Sequence, residues 1–250
     1  MRYKLTIEYE GTNYYGWQKQ NNKTTIQGNI EKALYLMFNE NIEIFGSGRT
    51  DAGVHALNQI AHFDYKEYPE YKIVSGLNNY LKELSKDRIQ DIVIKKCEIV
   101  DNNFESRFGA KIRHYKYLIF NSKVPTAILK NRVWQVRKEL NIDYMNLASK
   151  ILIGEHDFSS FRCSECQALS PVKIIYDCKI FKNYIGLIEF NISANSFLQH
   201  MVRNIVGTLK DVGIGKISID EFEKILKSKD RNRAGATAPA YGLYLDFVEY

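Results

Sequence analysis

FGSGRTDAGVHA, residues 45–56, places one aspartate, Asp51, among Gly46, Gly48 and Gly53, with Arg49 two positions before it. The apolar residues at 42–45 read as a short strand running into this stretch, and residues 59–64 read as a strand leaving it. The stretch is therefore expected to be a loop joining β elements at the edge or end of a sheet. A dinucleotide fingerprint needs G-x-G-x-x-G opening a helix, but the third glycine position holds Asp51, whose charge would repel a pyrophosphate. A phosphate-binding P-loop needs G-K-[ST], and no lysine follows Gly53. Two readings stay open on the residues alone. Asp51 either serves a tight turn by accepting backbone N–H bonds, or is a carboxylate held at a strand end for chemistry. In the second reading Arg49 keeps Asp51 ionised or contacts a phosphate, and the glycines let the backbone approach a ligand.

Outward from the loop, strands and helices are mixed throughout. Tyr3, Leu5, Ile7 and Tyr9 alternate with polar residues as a half-buried strand does, and Gly11 stops them. Thr24, Thr25, Ile26 and Gln27 read as a capping box, followed by Ile26, Ile30, Ala33, Leu34, Met37 and Phe38 at helical spacing. A weaker helical pattern covers 73–84 and a strand 91–100. Beyond residue 111 a comparable order returns. Residues 115–121 are strand-like, Asn141 is placed to cap a helix that carries Leu147, Ala148, Ile151 and Leu152, and Gly154 sits where that helix would stop. Residues 174–180 and 187–192 read as paired strands, 197–212 as an apolar-faced helix, Ser218 as the cap of a further helix, and 243–248 as a closing strand. The expected fold is α+β: two similar α/β lobes, 1–105 and 106–250, forming a continuous, mostly antiparallel sheet flanked by helices.

Composition narrows the class without deciding it. The 250 residues are 45% hydrophobic and 26% charged, an ordinary globular balance, and the net charge of +6 favours a polyanionic partner. The opening MRYKLTIEYEG has no secretory core, and no apolar run approaches the roughly 20 residues of a membrane span, so a cytoplasmic protein with no membrane association is expected. Four cysteines, Cys97, Cys163, Cys166 and Cys178, are too few for a disulfide scaffold in a chain of this length.

GRTDAGVHA resembles the signature of the tRNA pseudouridine synthase A family, and the resemblance extends along the chain. YYGWQKQ (14–20), RFGAKIRHYKY (107–117), GEHDFSSFR (154–162), ANSFLQHMVRNIVG (194–207) and YGLYL (241–245) are similar to that family's other blocks, in the same order. The resemblance implies the pseudouridine synthase fold with an active-site cleft between the lobes. It also implies isomerisation of uridine to pseudouridine at positions 38, 39 and 40 of the tRNA anticodon stem-loop, by a homodimer. That reaction is neither a redox step nor a hydrolysis, so no redox cofactor, nucleotide or metal is expected.

Residue by residue, the resemblance makes Asp51 the catalytic carboxylate, acting as a nucleophile on sugar or base or as a base toward a sugar proton. It makes Arg203 the cation that keeps Asp51 ionised in a partly dry site. Tyr115 becomes the ring that packs on the target base and helps with the C5 proton, and Leu243 an apolar wall of the uracil pocket. Arg49 enters the RNA stack or guides the flipped base. Lys111, Arg113, Lys116 and Arg162 are candidate backbone contacts, as is the run Lys224, Lys227, Lys229, Arg231 and Arg233, which also reads as a solvated helix face.

Other chemistries are weaker on the residues. Cys163 and Cys166 form a lone C-x-x-C with no second pair, more in keeping with plain thiols than with zinc. His62 alternates with Ile60 in a strand pattern and is better read as structural than as a hydrolase acid–base group, and His55 as a residue holding the loop. A non-catalytic RNA-binding module, a uridine nucleosidase, and a pseudouridine synthase with another tRNA target are the rival functions.

Overall fold

The computed structural model describes residues 1–86 and 88–250. The chain divides into two compact units: Met1–Lys111 with Leu245–Tyr250, and Ile112–Tyr244.

The first unit is built on β1 (Arg2–Tyr9), where Tyr3, Leu5, Ile7 and Tyr9 are all buried as their alternation demands. After it come α1 (Ile26–Phe38), β2 (Phe45–Gly46), β3 (His55–Asp64), α2 (Glu70–Leu84) and β4 (Ile92–Val100). β1 lies between β3 and β4, antiparallel to both, and β2 pairs antiparallel with β3. α1 and α2 bury Ile26, Ile30, Ala33 and Leu34, and Ile73, Leu77 and Leu81, at helical spacing. The two helices meet where Met37 covers Gly76, at which any Cβ would lie 2.8 Å from the Met37 sulfur.

Two local expectations are corrected here, for one reason. The cap of α1 is Thr25, whose side chain accepts from the Gly28 N–H, rather than a box closed by Gln27. The Gln27 side-chain amide instead donates to Glu31 and to the Ile44 carbonyl, at 2.9 and 3.1 Å, while the Ile44 N–H donates to Glu31 at 3.3 Å. The backbone at Ile44 is thus satisfied by α1 side chains and needs no strand partner, so β2 shrinks to Phe45–Gly46 instead of spanning 42–45. β3 starts at His55, four residues before the expected strand.

The second unit contains β5 (Ile112–Asn121), β6 (Trp134–Val136), α3 (Ile142–Lys150), β7 (Gly154–Asp157), β8 (Val172–Lys182), β9 (Ile188–Ala194), α4 (Met201–Gly213) and α5 (Ile219–Ser228). β9 lies between β5 and β8, and β7 follows β8, all antiparallel; β6 runs parallel to β5. Asn141 and Ser218 cap α3 and α5 as their types predict, accepting from Tyr144 and Glu221 N–H groups. α4 is buried on nearly all sides. It begins at Met201 rather than at 197, because His200 adopts a left-handed conformation (φ 63°) that a helix interior excludes.

The last strand, β10 (Leu243–Glu249), neighbours β3 in the first unit. The Asn58 side chain donates to the Asp246 carbonyl at 2.9 Å, and Lys111 N–H to the Glu249 carbonyl at 2.8 Å. Mixed α/β content with a mostly antiparallel sheet is as the sequence leads one to expect.

Candidate active site

In the first unit the loop between β2 and β3 is fixed from several sides. Ser47 donates through its N–H to the Ile60 carbonyl at 2.7 Å and through its hydroxyl to Gln59 at 2.6 Å. Gln59, fully buried, returns a bond to the Gly48 carbonyl at 2.9 Å. Thr50 is held by its hydroxyl to Tyr9 (2.8 Å) and by its carbonyl to the Trp17 N–H (3.1 Å). After Asp51 the chain turns back. The Val54 N–H donates to the Asp51 carbonyl at 3.2 Å, and Gly53 (φ 79°) donates to the Tyr14 carbonyl at 3.3 Å.

Much of this seating comes from YYGWQKQ and the Gly11 turn. Gly16 sits at φ 83°, and a Cβ there would come within 2.5 Å of the Thr50 carbonyl; at Gly11 it would come within 2.0 Å of the Val54 carbonyl. Gly46 lies against the Trp17 ring, with 2.5 Å to a hypothetical Cβ. Gly48 is different: no atom within 4 Å opposes a side chain there. Asp51 is half-buried and Arg49 exposed on the loop that carries both. Burial also pushes the Tyr14 phenol up to about 12, so that hydroxyl stays protonated at neutral pH.

The two histidines near the loop are engaged in its framework. His55 is buried and accepts the Gly11 N–H on Nδ1 at 3.0 Å. His62 is buried, with Nδ1 2.8 Å from the Ser106 hydroxyl and its ring stacked on Phe45 at 5.2 Å.

In the second unit, alternation along β5 puts Arg113, Tyr115, Tyr117 and Ile119 on one face and His114 and Lys116 on the other. The Tyr115 ring meets Phe197 edge-on at 5.1 Å and 82°. Tyr117 is buried, donates to the Pro239 carbonyl at 2.8 Å, and backs onto Gly242, where a Cβ would stand 2.5 Å from its ring. Burial raises its phenol well above the usual value.

Arg203 lies in the first turn of α4. Its Nε donates to the Ala238 carbonyl at 2.8 Å, and the Ala238 N–H donates back to the Arg203 carbonyl at 3.1 Å. The segment so anchored runs on through Pro239 and Gly242 to Leu243, which is buried at the start of β10. Sequence motifs point to Arg203, Tyr115 and Leu243, whereas no motif marks the Ala238 tether.

The remaining candidates are dispersed. Lys111 closes the first unit through its backbone bond to Glu249. Arg113 donates to the Asn195 carbonyl at 2.7 Å, and Arg162 donates to the Cys166 and Ala168 carbonyls. Arg162 also lines an open cleft of about 1020 Å³ with His200, Asn204, Lys229 and Arg231, whereas Tyr115, Arg203 and Leu243 do not. Cys163 and Cys166 are not bonded to each other as a disulfide. Among the described residues no cluster of three or more His, Cys, Asp or Glu side chains is arranged to hold a metal ion. Nor is any helix there long and apolar enough to cross a membrane.

A mostly antiparallel α/β framework carrying GRTDAGVHA on a glycine loop matches a family model described as tRNA pseudouridine synthase, over residues 5–108 and 148–250. The chain belongs to that family of isomerases. It is 44% identical over 252 residues to the tRNA pseudouridine synthase A of Wolbachia pipientis wMel, spanning the whole of both chains. It is also 44% identical over 248 residues to the tRNA pseudouridine synthase A of Acetivibrio thermocellus, covering 99% of this chain and 98% of the relative.

Proposed function

We propose that the protein isomerises uridine to pseudouridine at positions 38 to 40 of the tRNA anticodon stem-loop. In this reading Asp51 is the catalytic carboxylate, Arg203 the cation that keeps it ionised, and Tyr115 the ring packed on the target base. Family membership over most of the chain carries the reading, since the relatives bear the name of a tRNA pseudouridine synthase along their full length.

The chemistry is balanced without a co-reactant. The N1–C1′ bond breaks, uracil turns, C5 bonds to C1′, the C5 proton leaves, and N1 takes up a proton. What the protein must supply is an ionised carboxylate in fixed geometry and stabilisation of a base outside its stack. The bonds that seat Thr50 and Val54 on either side of Asp51 support the first requirement. The exposed Arg49 two residues away is suited to the second, and the open space over Gly48 leaves room for close approach of RNA. Leu243 forms an apolar wall for uracil, and Lys111, Arg113, Lys116 and Arg162 supply charge toward phosphates. The protein acts in the cytoplasm as a homodimer.

The test is tritium release from tRNA carrying uridine labelled at C5, with wild type and Asp51→Asn side by side and tRNA binding measured for both. Release by the wild type alone, with binding intact in both, is expected. Binding without release by either protein would leave an RNA-binding module and make the glycine loop a turn. Free uracil would make the protein a nucleosidase, and label loss outside positions 38 to 40 would move the target site.

A further inference from the structure

The basic run that begins in α5 and continues past its end does not behave as one surface. Lys227 pairs with Glu223, Lys229 with Asp157 at 3.3 Å, and Arg233 with Glu221 at 2.7 Å. Arg231 has no carboxylate partner among the described residues. Its guanidinium turns inward and donates to four neutral acceptors: the Ala234 and Gly235 carbonyls at 3.3 and 3.0 Å, the Thr237 hydroxyl at 3.1 Å, and the Asn204 side-chain carbonyl at 3.2 Å.

Those acceptors belong to two elements. Three lie on the segment that follows Arg231, and the fourth lies on α4, one residue after Arg203. The Thr237 hydroxyl closes the set by donating to Asn204 at 2.6 Å. Asn204 is buried and is itself held by its amide to the Phe161 carbonyl at 2.8 Å. The contact is close along its length. The Gly235 N–H donates to the Thr208 hydroxyl at 2.9 Å, and a Cβ on Gly207 would come within 1.8 Å of the Ala236 carbonyl.

The next step along both elements is the Arg203–Ala238 pair. Residues 203 and 204 therefore face residues 238 and 237, and Arg231 fastens the 204–237 side of that match. A planar fork with several fixed N–H directions can hold several acceptors in one register, which a lysine ammonium does not reproduce.

We infer that Arg231 is a positioning residue for Arg203: it locks the segment 234–237 onto α4, and that lock sets the Ala238 carbonyl that aims the Arg203 guanidinium. The inference rests on the proposed role of Arg203 in turnover. It removes Arg231 from the RNA-contacting run and gives it a role transmitted through another side chain.

The test is a double-mutant cycle of wild type, Arg203→Leu, Arg231→Gln and the double variant. Single-turnover rate, tRNA dissociation constant and melting temperature are measured for each. Arg231→Gln should slow turnover roughly 10- to 100-fold, as a displaced site group does, while tRNA binding stays within about twofold. In the Arg203→Leu background the same change should cost less than about twofold more, because residues acting as one unit are not additive. Arg231→Lys should not restore the rate. Additive losses, or a wild-type rate in Arg231→Gln beside a slow Arg203→Leu, would overturn the inference and leave the role of Arg203 standing. Weakened tRNA binding at an unchanged rate would overturn it too and make Arg231 an RNA contact. A normal rate in Arg203→Leu would sink the reading of Arg203 and this inference with it. Should Arg231→Gln fail to fold, Thr237→Val, which removes one arm of the same lock, is carried through the same cycle with the same expected non-additivity.

Discussion

The Trp17 N–H donates to the Thr50 carbonyl at 3.1 Å, and Gly16, immediately before it, stands where a Cβ would meet that same carbonyl at 2.5 Å. Thr50 is the residue next to Asp51, so the Gly16–Trp17 turn acts as a stop for the loop that carries the proposed catalytic carboxylate. Alanine at position 16 meets both a positive φ of 83° and the carbonyl, and something must shift. Gly16→Ala is expected to destabilise the protein by about 1–3 kcal/mol through backbone strain. Turnover should fall well beyond what that loss of folded protein explains, at nearly unchanged tRNA affinity. Melting temperature, kcat and tRNA affinity measured together decide it: a stable variant with full kcat would mean that the bonds from Tyr9, Ser47 and Gln59 set the loop alone.

Charge and tether can be separated at Arg203. Lysine keeps the positive charge but has no Nε–H for the Ala238 carbonyl, 2.8 Å away in the arginine form. Arg203→Lys should therefore turn over more slowly than wild type yet faster than Arg203→Leu, with the three proteins binding tRNA alike. Equal rates for lysine and arginine would show that charge suffices and that the tether contributes nothing to turnover.

How far the sequence carried these conclusions depended on whether the physics was local. Tyr3, Leu5, Ile7 and Tyr9 announce a half-buried strand, and Asn141 and Ser218 announce helix starts, because alternation and capping act over a few residues. The strand expected at 42–45 failed because Gln27 and Glu31 satisfy the Ile44 backbone from another element. α4 starts late because of one left-handed residue, His200, which leaves the apolar spacing of 197–212 uninterrupted. At the site, Asp51 stood out by its motif. The hold on Arg203 did not, since it is a backbone carbonyl 35 residues away that any residue type at position 238 other than a distorting one would present.

Two titratable groups at the end of β3, His62 and Asp64, set a pH dependence of stability. His62 is held below its ordinary 6.5 first by burial, against the opposing charge of Glu105. Asp64 is held below its ordinary 3.8 first by its bond to Arg2, whose guanidinium grips both carboxylate oxygens at 2.8 Å. Both groups bind fewer protons folded than unfolded, so both contribute stability at higher pH that is lost on acidification. The His62 part disappears as pH falls from 6.5 toward its lower folded value, and the Asp64 part follows below 3.8. Melting temperature should therefore decline from pH 7.5 to 5, and His62→Gln, which can keep a bond to Ser106, should flatten that decline. Parallel slopes for the two proteins would assign the acid sensitivity to other groups.

Tyr115 offers a ring and a hydroxyl, and the two can be told apart. The ring is oriented edge-on to Phe197 at 5.1 Å, on the face of β5 that also carries Tyr117. Stacking of a base on an aromatic is worth about 1–3 kcal/mol, or roughly 5- to 150-fold in affinity or rate. If the ring alone receives the target base, Tyr115→Phe should keep nearly full turnover, whereas Tyr115→Ala should lose a factor within that range. If the hydroxyl also serves the C5 proton, Tyr115→Phe should allow glycosidic bond cleavage but slow tritium release from C5, a split that stacking alone does not produce. Phe197→Ala provides the geometric control: it leaves the tyrosine in place, removes its edge-on neighbour, and should lower turnover less than Tyr115→Ala. Full activity in Tyr115→Ala would remove this tyrosine from the site, and the base would then have to be received by another ring.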